Sequence, residues 1–224
     1  MMYLSPWMAR LLKAKLLKRT PRRLPAISPD VEVTLKARLE ALIDEGWALW
    51  ERFDSDVRDR EFHSFVAADY DAVLAVLIAQ RGPALRFLEL GSATGVITIM
   101  ADLLGFEAYG IELDSGLARR SRKMAEAYNS SARFVIGSFL PSGYRWQPKA
   151  SDGTIETPGN GLSGYLELGY ALDDFDIVFG FPWGGEDRMM LDLMKGYGRP
   201  NALLLLYSVE EGVVGYRGGR RVTL

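Results

Sequence analysis

The fourteen residues from Phe87 to Met100, FLELGSATGVITIM, constrain the fold more than any other part of the chain. A short apolar run leads into a turn with small residues at alternate positions, and a second apolar stretch follows at once. This pattern predicts a buried parallel strand, a sharp turn and a helix. Gly91, Ala93 and Gly95 would let a ligand approach the main chain closely, and the N–H groups at a helix start favour an electron-rich partner. We therefore predict a nucleotide-like ligand at this turn.

The spacing within the turn narrows the choice of ligand. A dinucleotide fingerprint requires G-x-G-x-x-G, whereas this turn runs Gly91-x-Ala93-x-Gly95 without a third glycine at the dinucleotide spacing. Glu89 stands two positions before the first glycine, where a carboxylate would repel a pyrophosphate but could hold an ammonium group. The sequence thus favours a ligand with an amino-acid end.

These residues resemble the first motif of the class I S-adenosylmethionine-dependent methyltransferases, which runs acidic-x-Gly-x-Gly-x-Gly. Ala93 replaces the middle glycine. The resemblance implies an α/β fold with a doubly wound, mostly parallel sheet of the Rossmann-like type, and S-adenosylmethionine as cofactor. It places Glu89, Gly91, Ser92, Ala93 and Gly95 against that cofactor.

A second strand is predicted from Phe106 to Leu113. It ends near Glu112, about 20 residues past the glycine turn, where an acidic side chain meets ribose hydroxyls in nucleotide-binding halves. We expect Glu112 to bind ribose and the adjoining Leu113 to lie at the cofactor.

A third strand, Ala132 to Ile136, leads to Ser138 and Phe139. In similar methyltransferases an acidic residue near this position contacts the adenine amino group. By that resemblance Ser138 would take over the contact and Phe139 would pack on the ring.

The fourth element, from Asp174 to Trp183, resembles the strand and loop that in amino-group methylases carry an Asn or Asp, prolines and an aromatic residue. Here the loop reads Gly180-Phe181-Pro182-Trp183, and Gly180 has no side chain to accept a hydrogen bond from a substrate amine. The match to base-modifying or glutamine-modifying methylases is therefore weak. Gly180 itself is expected to lie at the cofactor.

Three side chains are candidates for catalysis. His63 could act as a base near neutral pH, although a lone histidine between phenylalanines also serves as a packing residue. Trp183 could wall the acceptor site, and Glu186 could orient a nucleophile. Glu186 could equally be the first-turn carboxylate of a helix running from Glu186 to Lys195.

Composition limits the class of protein. The 224 residues include one histidine and no cysteine, so we expect no metal centre and no disulfide. An apolar run of the roughly 20 residues that span a bilayer is also absent from the sequence. A cytoplasmic protein fits these features.

Charge divides the chain. Up to Arg23 there are seven basic residues and no acidic one. The rest of the chain therefore carries 20 basic and 29 acidic residues. We predict a basic arm and linker over residues 1–29, a helical cap over 30–82 and a cofactor-binding core over 83–224. The arm could touch an anionic membrane surface or a partner subunit, or be a solvated appendage, and a nucleic-acid partner is not favoured.

Two helices are expected in the cap, from about Val31 to Phe53 and from Asp69 to Gln80. After a fifth strand, Leu203 to Tyr207, the remaining chain has room only for a hairpin turning at Gly218–Gly219, without a crossover helix. The sheet should therefore end in a shortened hairpin with one exposed edge.

Three functions remain open from the sequence. The first is an S-adenosylmethionine-dependent methyltransferase that acts on a small molecule or a protein side chain. The second is a catalytically silent cofactor-binding or scaffold protein, because the acceptor loop lacks its polar residue. A nicotinamide-dependent oxidoreductase is disfavoured by the missing third glycine and by the lack of a Tyr-x-x-x-Lys pattern.

Overall fold

The computed structural model describes residues 33–55, 66–146, 161–182 and 186–224. The basic arm, His63, Trp183 and residues 147–160 of the long insertion lie outside the described residues. The roles predicted for them stay predictions. None of the described helices is long and apolar enough to cross a membrane.

Seven strands are described: Arg86–Leu90 (β1), Glu107–Glu112 (β2), Arg133–Ile136 (β3), Ile177–Gly180 (β4), Leu203–Ser208 (β5), Gly212–Arg217 (β6) and Arg220–Val222 (β7). They form one sheet in the order β3-β2-β1-β4-β5-β6-β7. Strands β1 to β5 pair in parallel, while β6 runs antiparallel to β5 and β7 antiparallel to β6. Strands β1, β4 and β5 are buried along nearly their whole length, as expected for parallel strands covered on both faces.

Six α-helices are described with the sheet: Val33–Phe53 (α1), Tyr70–Ala79 (α2), Val96–Leu103 (α3), Ser115–Ala127 (α4), Tyr165–Leu168 (α5) and Asp187–Tyr197 (α6). A short 3-10 turn spans Leu172–Asp174. Two helices begin at aspartate caps, because Asp69 accepts hydrogen bonds from the N–H groups of Asp71 and Ala72, and Asp114 accepts one from Leu117. Such caps satisfy N–H groups that the first helical turn leaves free.

Each face of the sheet has its own core. Helices α1 to α4 cover one face, where Phe87 and Phe179 point into a cluster with side chains of these helices. Helices α5 and α6 cover the other face, toward which Leu88 and Leu90 point. Residues that alternate along β1 thus serve opposite layers, which is the arrangement of a doubly wound sheet.

The predicted α/β architecture is confirmed, with strand bounds within three residues of those expected. The predicted hairpin is present between β6 and β7 and turns at Gly218 and Gly219, whose φ values are +54° and +74°. The chain passes from β5 to β6 without a helix, as expected. Helices α1 and α2 pack on α3 and share the first core, and the domain boundary at residues 82–83 stays a prediction.

Gly95 is a residue at which the core is tightly packed. Its φ is +81°, and an added Cβ would lie 2.6 Å from Ser121 Cβ and 2.7 Å from Phe134 Cζ. We expect Gly95→Ala to lower the free energy of unfolding by about 2–4 kcal/mol, measured by denaturant titration, because strain and collision add. Gly105→Ala is the matched control, since Gly105 has a φ of +98° with open space around it, and should cost only about 1–2 kcal/mol. Equal losses in the two variants would mean that the collision contributes nothing.

Candidate functional site: a cleft between the first and fourth strands

The strand order creates a crevice between β1 and β4. The chain leaves β1 toward α3 on one face of the sheet and leaves β4 toward α6 on the other, so the two loops diverge. Ligands of doubly wound sheets bind at such a switch in strand order, beyond the carboxyl ends of the strands. A narrow, partly open cleft lies at this point. The candidate site is therefore built from the turn after β1 and the end of β4.

The turn after β1 holds three residues in the left-handed region. The φ values are +75° for Gly91, +46° for Ala93 and +81° for Gly95. A side chain in this region costs about 1–2 kcal/mol, so Ala93 needs support that a glycine would not. The N–H groups of Gly91 and Ser92 both donate to the carbonyl oxygen of Ile111, at 2.9 and 3.0 Å, and that of Gly95 donates to Ser92 O at 2.7 Å. The turn is thus tied to the end of β2.

Glu112 supplies the support that Ala93 needs. Its Oε2 accepts the N–H of Ala93 at 2.7 Å, and its Oε1 accepts the N–H of Asp114 at 2.8 Å. The side chain is buried, which raises the pKa of Glu112, while these backbone hydrogen bonds oppose the rise. Each carboxylate oxygen can accept a further hydrogen bond. The predicted contact with ribose stays a prediction.

Glu89 lies inside the same cleft, near the start of α3. Its Oε2 accepts the backbone N–H of Thr98 at 3.0 Å and the hydroxyl of the same residue. Among the described residues we find no hydrogen bond to the second oxygen, Oε1. Burial raises the pKa of Glu89 to about 8, despite the bonds from Thr98, and the nearby Glu112 adds to the rise. The residue is therefore a buried acid that is mostly protonated at neutral pH.

Aromatic side chains line part of the cleft. Tyr70, Phe179 and Phe181 belong to its wall, and Phe181 packs edge-on against Tyr207 with the ring centres 5.1 Å apart. Burial raises the pKa of Tyr70, and the carboxyl of Glu89 raises it further, so this phenol stays neutral. The wall beside the glycine turn is thus mostly apolar, and Glu89 contributes a carboxyl group to it.

Ser138, predicted to face the adenine ring, lies just beyond β3. Its N–H donates to Leu162 O at 2.8 Å and its carbonyl oxygen accepts from Gly164 N–H at 2.9 Å, so it pairs with the chain returning from the long insertion. Its hydroxyl accepts the N–H of Leu140 at 3.1 Å. The residue ties the insertion to the edge of the sheet, and its contact with a ligand stays a prediction.

Phe139 and Leu113 lie in different surroundings. Phe139 is half-buried and packs against the second core, on the side of α5 and α6. Leu113 follows β2 and is 37% exposed, with its Cδ1 3.0 Å from the position that a Cβ on Gly161 would occupy. Both predicted cofactor contacts stay predictions.

Gly180 has a packing reason for lacking a side chain. A Cβ at this position would lie 2.7 Å from the sulfur of Met190, which reaches the end of β4 from α6. Met190 is itself buried. The space in which a polar acceptor side chain would begin is therefore filled by a thioether.

Glu186 immediately precedes α6 and is almost fully buried. Its carbonyl oxygen accepts the N–H of Met190 at 2.9 Å, while its side chain does not cap the helix. The helix runs from Asp187 to Tyr197 rather than from Glu186 to Lys195, and the acidic residue of its first turn is Asp187. The helix boundary expected from the sequence was wrong by one residue at its start, and the catalytic role of Glu186 stays a prediction.

Thr98 and Tyr207 were not predicted to belong to this region. Thr98 occupies the third position of α3, where a free N–H faces back toward β1, so the pairing of Glu89 with this N–H could have been anticipated from helix geometry. Tyr207 comes from the distant β5, and the local sequence carries no signal for its contact with Phe181. Over the described ranges, no three acidic or histidine side chains are grouped so that they could hold a metal ion.

Comparison with known proteins gives likenesses at the level of structure. No protein-family model matches the chain, and no curated protein matches it. Among solved structures it is similar to an RNA methyltransferase of Salinibacter ruber bound to S-adenosyl-L-homocysteine, at 14% identity and a TM-score of 0.44, over 63% of this chain and 76% of that one. A precorrin-6y C5,15-methyltransferase of Geobacter metallireducens aligns at 16% identity and a TM-score of 0.45, over 68% and 69%.

The PH0226 protein of Pyrococcus horikoshii aligns at 15% identity and a TM-score of 0.42, over 61% of this chain. The chain spans 55% of that protein's length and 31% of a Pyrococcus abyssi tRNA (uracil-54, C5)-methyltransferase. The chemistry of the present site is accordingly inferred from its own residues.

The burial of Glu89 predicts a pH-dependent stability. Its pKa is raised in the folded state, so its stabilising contribution is full below about pH 4.5 and is lost as the pH rises toward 8. The ligand-free Glu89→Gln variant should therefore gain stability over the wild type between pH 5 and 9, on the order of 2–4 kcal/mol, in denaturant titrations. Glu40→Gln, at an exposed site, is the control and should show no such trend. A constant difference between wild type and Glu89→Gln across this range would contradict the assignment.

Proposed function

We propose that the cleft binds S-adenosylmethionine and that the protein is a methyltransferase. The observation that carries the proposal is the buried carboxyl of Glu89, which lines the cleft beside an open glycine turn and offers one oxygen to a ligand. An ammonium group is the partner that such a carboxyl lacks. S-adenosylmethionine combines an amino-acid end with a nucleoside, which matches the strand-turn-helix unit and its two acidic strand ends.

The residues of the turn fit this cofactor. A Cβ on Gly91 would meet no atom within 4 Å, so the turn is open at this position. The hydroxyl oxygen of Ser92 is buried without a hydrogen-bond partner, although Ser92 lines the cleft. Buried polar groups of this kind are normally satisfied by a ligand or a water molecule. Glu89 would hold the amino group and Glu112 the ribose, while Gly91 and Ser92 would lie against the ligand.

The same turn is unsuited to a pyrophosphate. Dinucleotide cradles direct free N–H groups at the phosphates. Here the N–H groups of Gly91, Ser92 and Gly95 are bonded to carbonyl oxygens, and that of Ala93 is bonded to Glu112. The nearby acidic side chains add repulsion. The hydrogen bonding thus favours S-adenosylmethionine over a nicotinamide dinucleotide.

The cofactor supplies an already activated methyl group, so the protein's task is mainly to orient the acceptor and exclude water. The aromatic wall formed by Tyr70, Phe179 and Phe181, with Tyr207 packed against Phe181, suits both tasks. His63, Trp183 and Glu186 remain the proposed catalytic side chains, with the roles predicted from the sequence. The acceptor is a small molecule or a protein side chain.

A catalytically silent S-adenosylmethionine-binding protein is the alternative. It is favoured by the packing of Met190 where an acceptor side chain on residue 180 would begin. Conversion of S-adenosylmethionine to S-adenosylhomocysteine in the presence of a panel of small molecules and peptides distinguishes the two. Turnover with any acceptor supports the enzyme, and binding without turnover across the panel supports the silent protein.

Titration calorimetry with S-adenosylmethionine and with NAD tests the proposed ligand. We expect S-adenosylmethionine to bind the wild type and NAD not to bind. Glu89→Gln should weaken the affinity for S-adenosylmethionine about 10- to 100-fold, because a charge-assisted hydrogen bond is lost. Glu40→Gln should bind as the wild type does.

The number of protons released when the ligand binds gives a second test. Since the pKa of Glu89 is about 8 before binding, formation of the ammonium pair at pH 7 should release close to one proton. Calorimetry in buffers of different ionisation enthalpy measures this release, and it should vanish in Glu89→Gln. NAD binding without S-adenosylmethionine binding would overturn the proposed cofactor, whereas unchanged proton release in the variant would overturn only the role of Glu89.

A further inference from the structure

Exposed aliphatic side chains gather at the β3 edge of the sheet. Leu162 and Leu166 are 88% and 85% exposed, and Leu113 and Ile136 are more than a third exposed. The four residues are held together, because Leu113 lies against Gly161 and residues 162–164 pair with Ser138, two positions after Ile136. Single exposed leucines are common, but a contiguous group bordered by polar residues marks an interaction surface.

Basic side chains border this group. Helix α4 carries four basic residues against one acidic residue, Glu126. One of the four, Arg122, reaches across to the aliphatic side: it donates to Phe134 O at 3.1 and 2.9 Å and to Glu167 Oε1 at 3.5 Å, next to Leu166. Arg119 and Lys123 are exposed on the side of the helix next to Arg122, whereas Arg120 is exposed on its far flank.

The acidic groups at this surface are few and partly engaged. Asp114 caps α4 through the N–H of Leu117, and Glu167 pairs with Arg122. Among the described residues, Arg119, Arg122 and Lys123 together with Arg133 at the start of β3 give four basic side chains against three acidic ones, Asp114, Glu126 and Glu167. The surface is thus locally cationic, although beyond Arg23 the chain carries 20 basic and 29 acidic residues.

We propose that this leucine–arginine surface, formed by Leu113, Ile136, Leu162 and Leu166 with Arg119, Arg122 and Lys123 of α4, docks on an anionic lipid bilayer. Aliphatic side chains can enter the boundary of the acyl region while arginine and lysine contact anionic headgroups. A single-stranded nucleic acid would use the same cations but pairs them with aromatic side chains on which bases stack. The exposed apolar residues of this surface are all aliphatic, which favours the lipid.

The sequence before the described residues has matching chemistry. Up to Arg23 it carries seven basic residues and no acidic one, together with Leu4, Trp7 and Leu11. Basic segments with leucine and tryptophan favour anionic membrane surfaces. The chain therefore contains two separate regions suited to the same partner, and the proposal does not depend on the identity of the cofactor.

Co-sedimentation of the full chain with vesicles tests the proposal. We expect binding to vesicles of equal parts phosphatidylglycerol and phosphatidylcholine, weak binding to phosphatidylcholine alone, and weakening of the former as salt is raised. The double variant Leu162→Ser/Leu166→Ser should lower the partition coefficient by about tenfold or more, because the two most exposed aliphatic groups are lost. Both positions are exposed, so folding should be retained, as checked by circular dichroism.

Matched controls separate this surface from the basic segment before it. Val33→Ser removes an equally exposed aliphatic side chain elsewhere, and Arg220→Ser removes one charge at the opposite edge of the sheet. The charge variant within the surface is Arg119→Ser, three positions before Arg122 on α4. We expect the two remote variants to bind within about twofold of the wild type and Arg119→Ser to bind more weakly than Arg220→Ser. Unchanged vesicle binding in the double leucine variant, or tighter binding to a single-stranded oligonucleotide than to the vesicles, would overturn the proposal.

Discussion

The hydrogen bond from the N–H of Ala93 to the carboxylate of Glu112 fixes the region on which the site depends. It holds a left-handed alanine in place and joins the turn after β1 to the end of β2. The second oxygen of the same carboxylate accepts the N–H of Asp114, where α4 begins. One buried side chain thus sets the direction in which both α3 and α4 leave the sheet. The backbone strain at Ala93 persists because these surrounding bonds over-determine it.

A second carboxyl, Glu89, is stable in its buried position for a different reason. Its partner is the N-terminal turn of α3, where the positive end of the helix dipole and the N–H of Thr98 favour negative charge. Burial opposes that charge more strongly, so the ligand-free protein keeps the acid protonated at neutral pH. A cationic ligand would shift the balance, and proton loss and ligand capture become one event. The carboxyl groups at the two neighbouring strand ends therefore have different roles. Glu112 fixes the conformation of the turn, and Glu89 has an oxygen available to a ligand.

The parts of the fold that could be predicted are those with local causes. The apolar run before Gly91 and the small residues after it specify strand, turn and helix within fifteen positions, and Gly218–Gly219 specify the hairpin. The bonding of the turn to Glu112 and the contact of Phe181 with Tyr207 could not be predicted, because they join residues far apart in the sequence. The surroundings of Gly180 could not be predicted for the same reason. Its sequence context suggests a lost acceptor, whereas the packed structure shows that Met190 occupies the space.

The filling of that space restricts how an acceptor could be held. A side chain at residue 180 would require the buried thioether end of Met190, between α6 and the sheet, to shift. The end of β4 therefore offers backbone atoms and the neighbouring rings of Phe179 and Phe181 instead of a side-chain amide or carboxylate. Ring faces and edges recognise flat or apolar groups better than amines that need several hydrogen bonds. Under the proposed function, this end of the sheet would orient an acceptor mainly by shape.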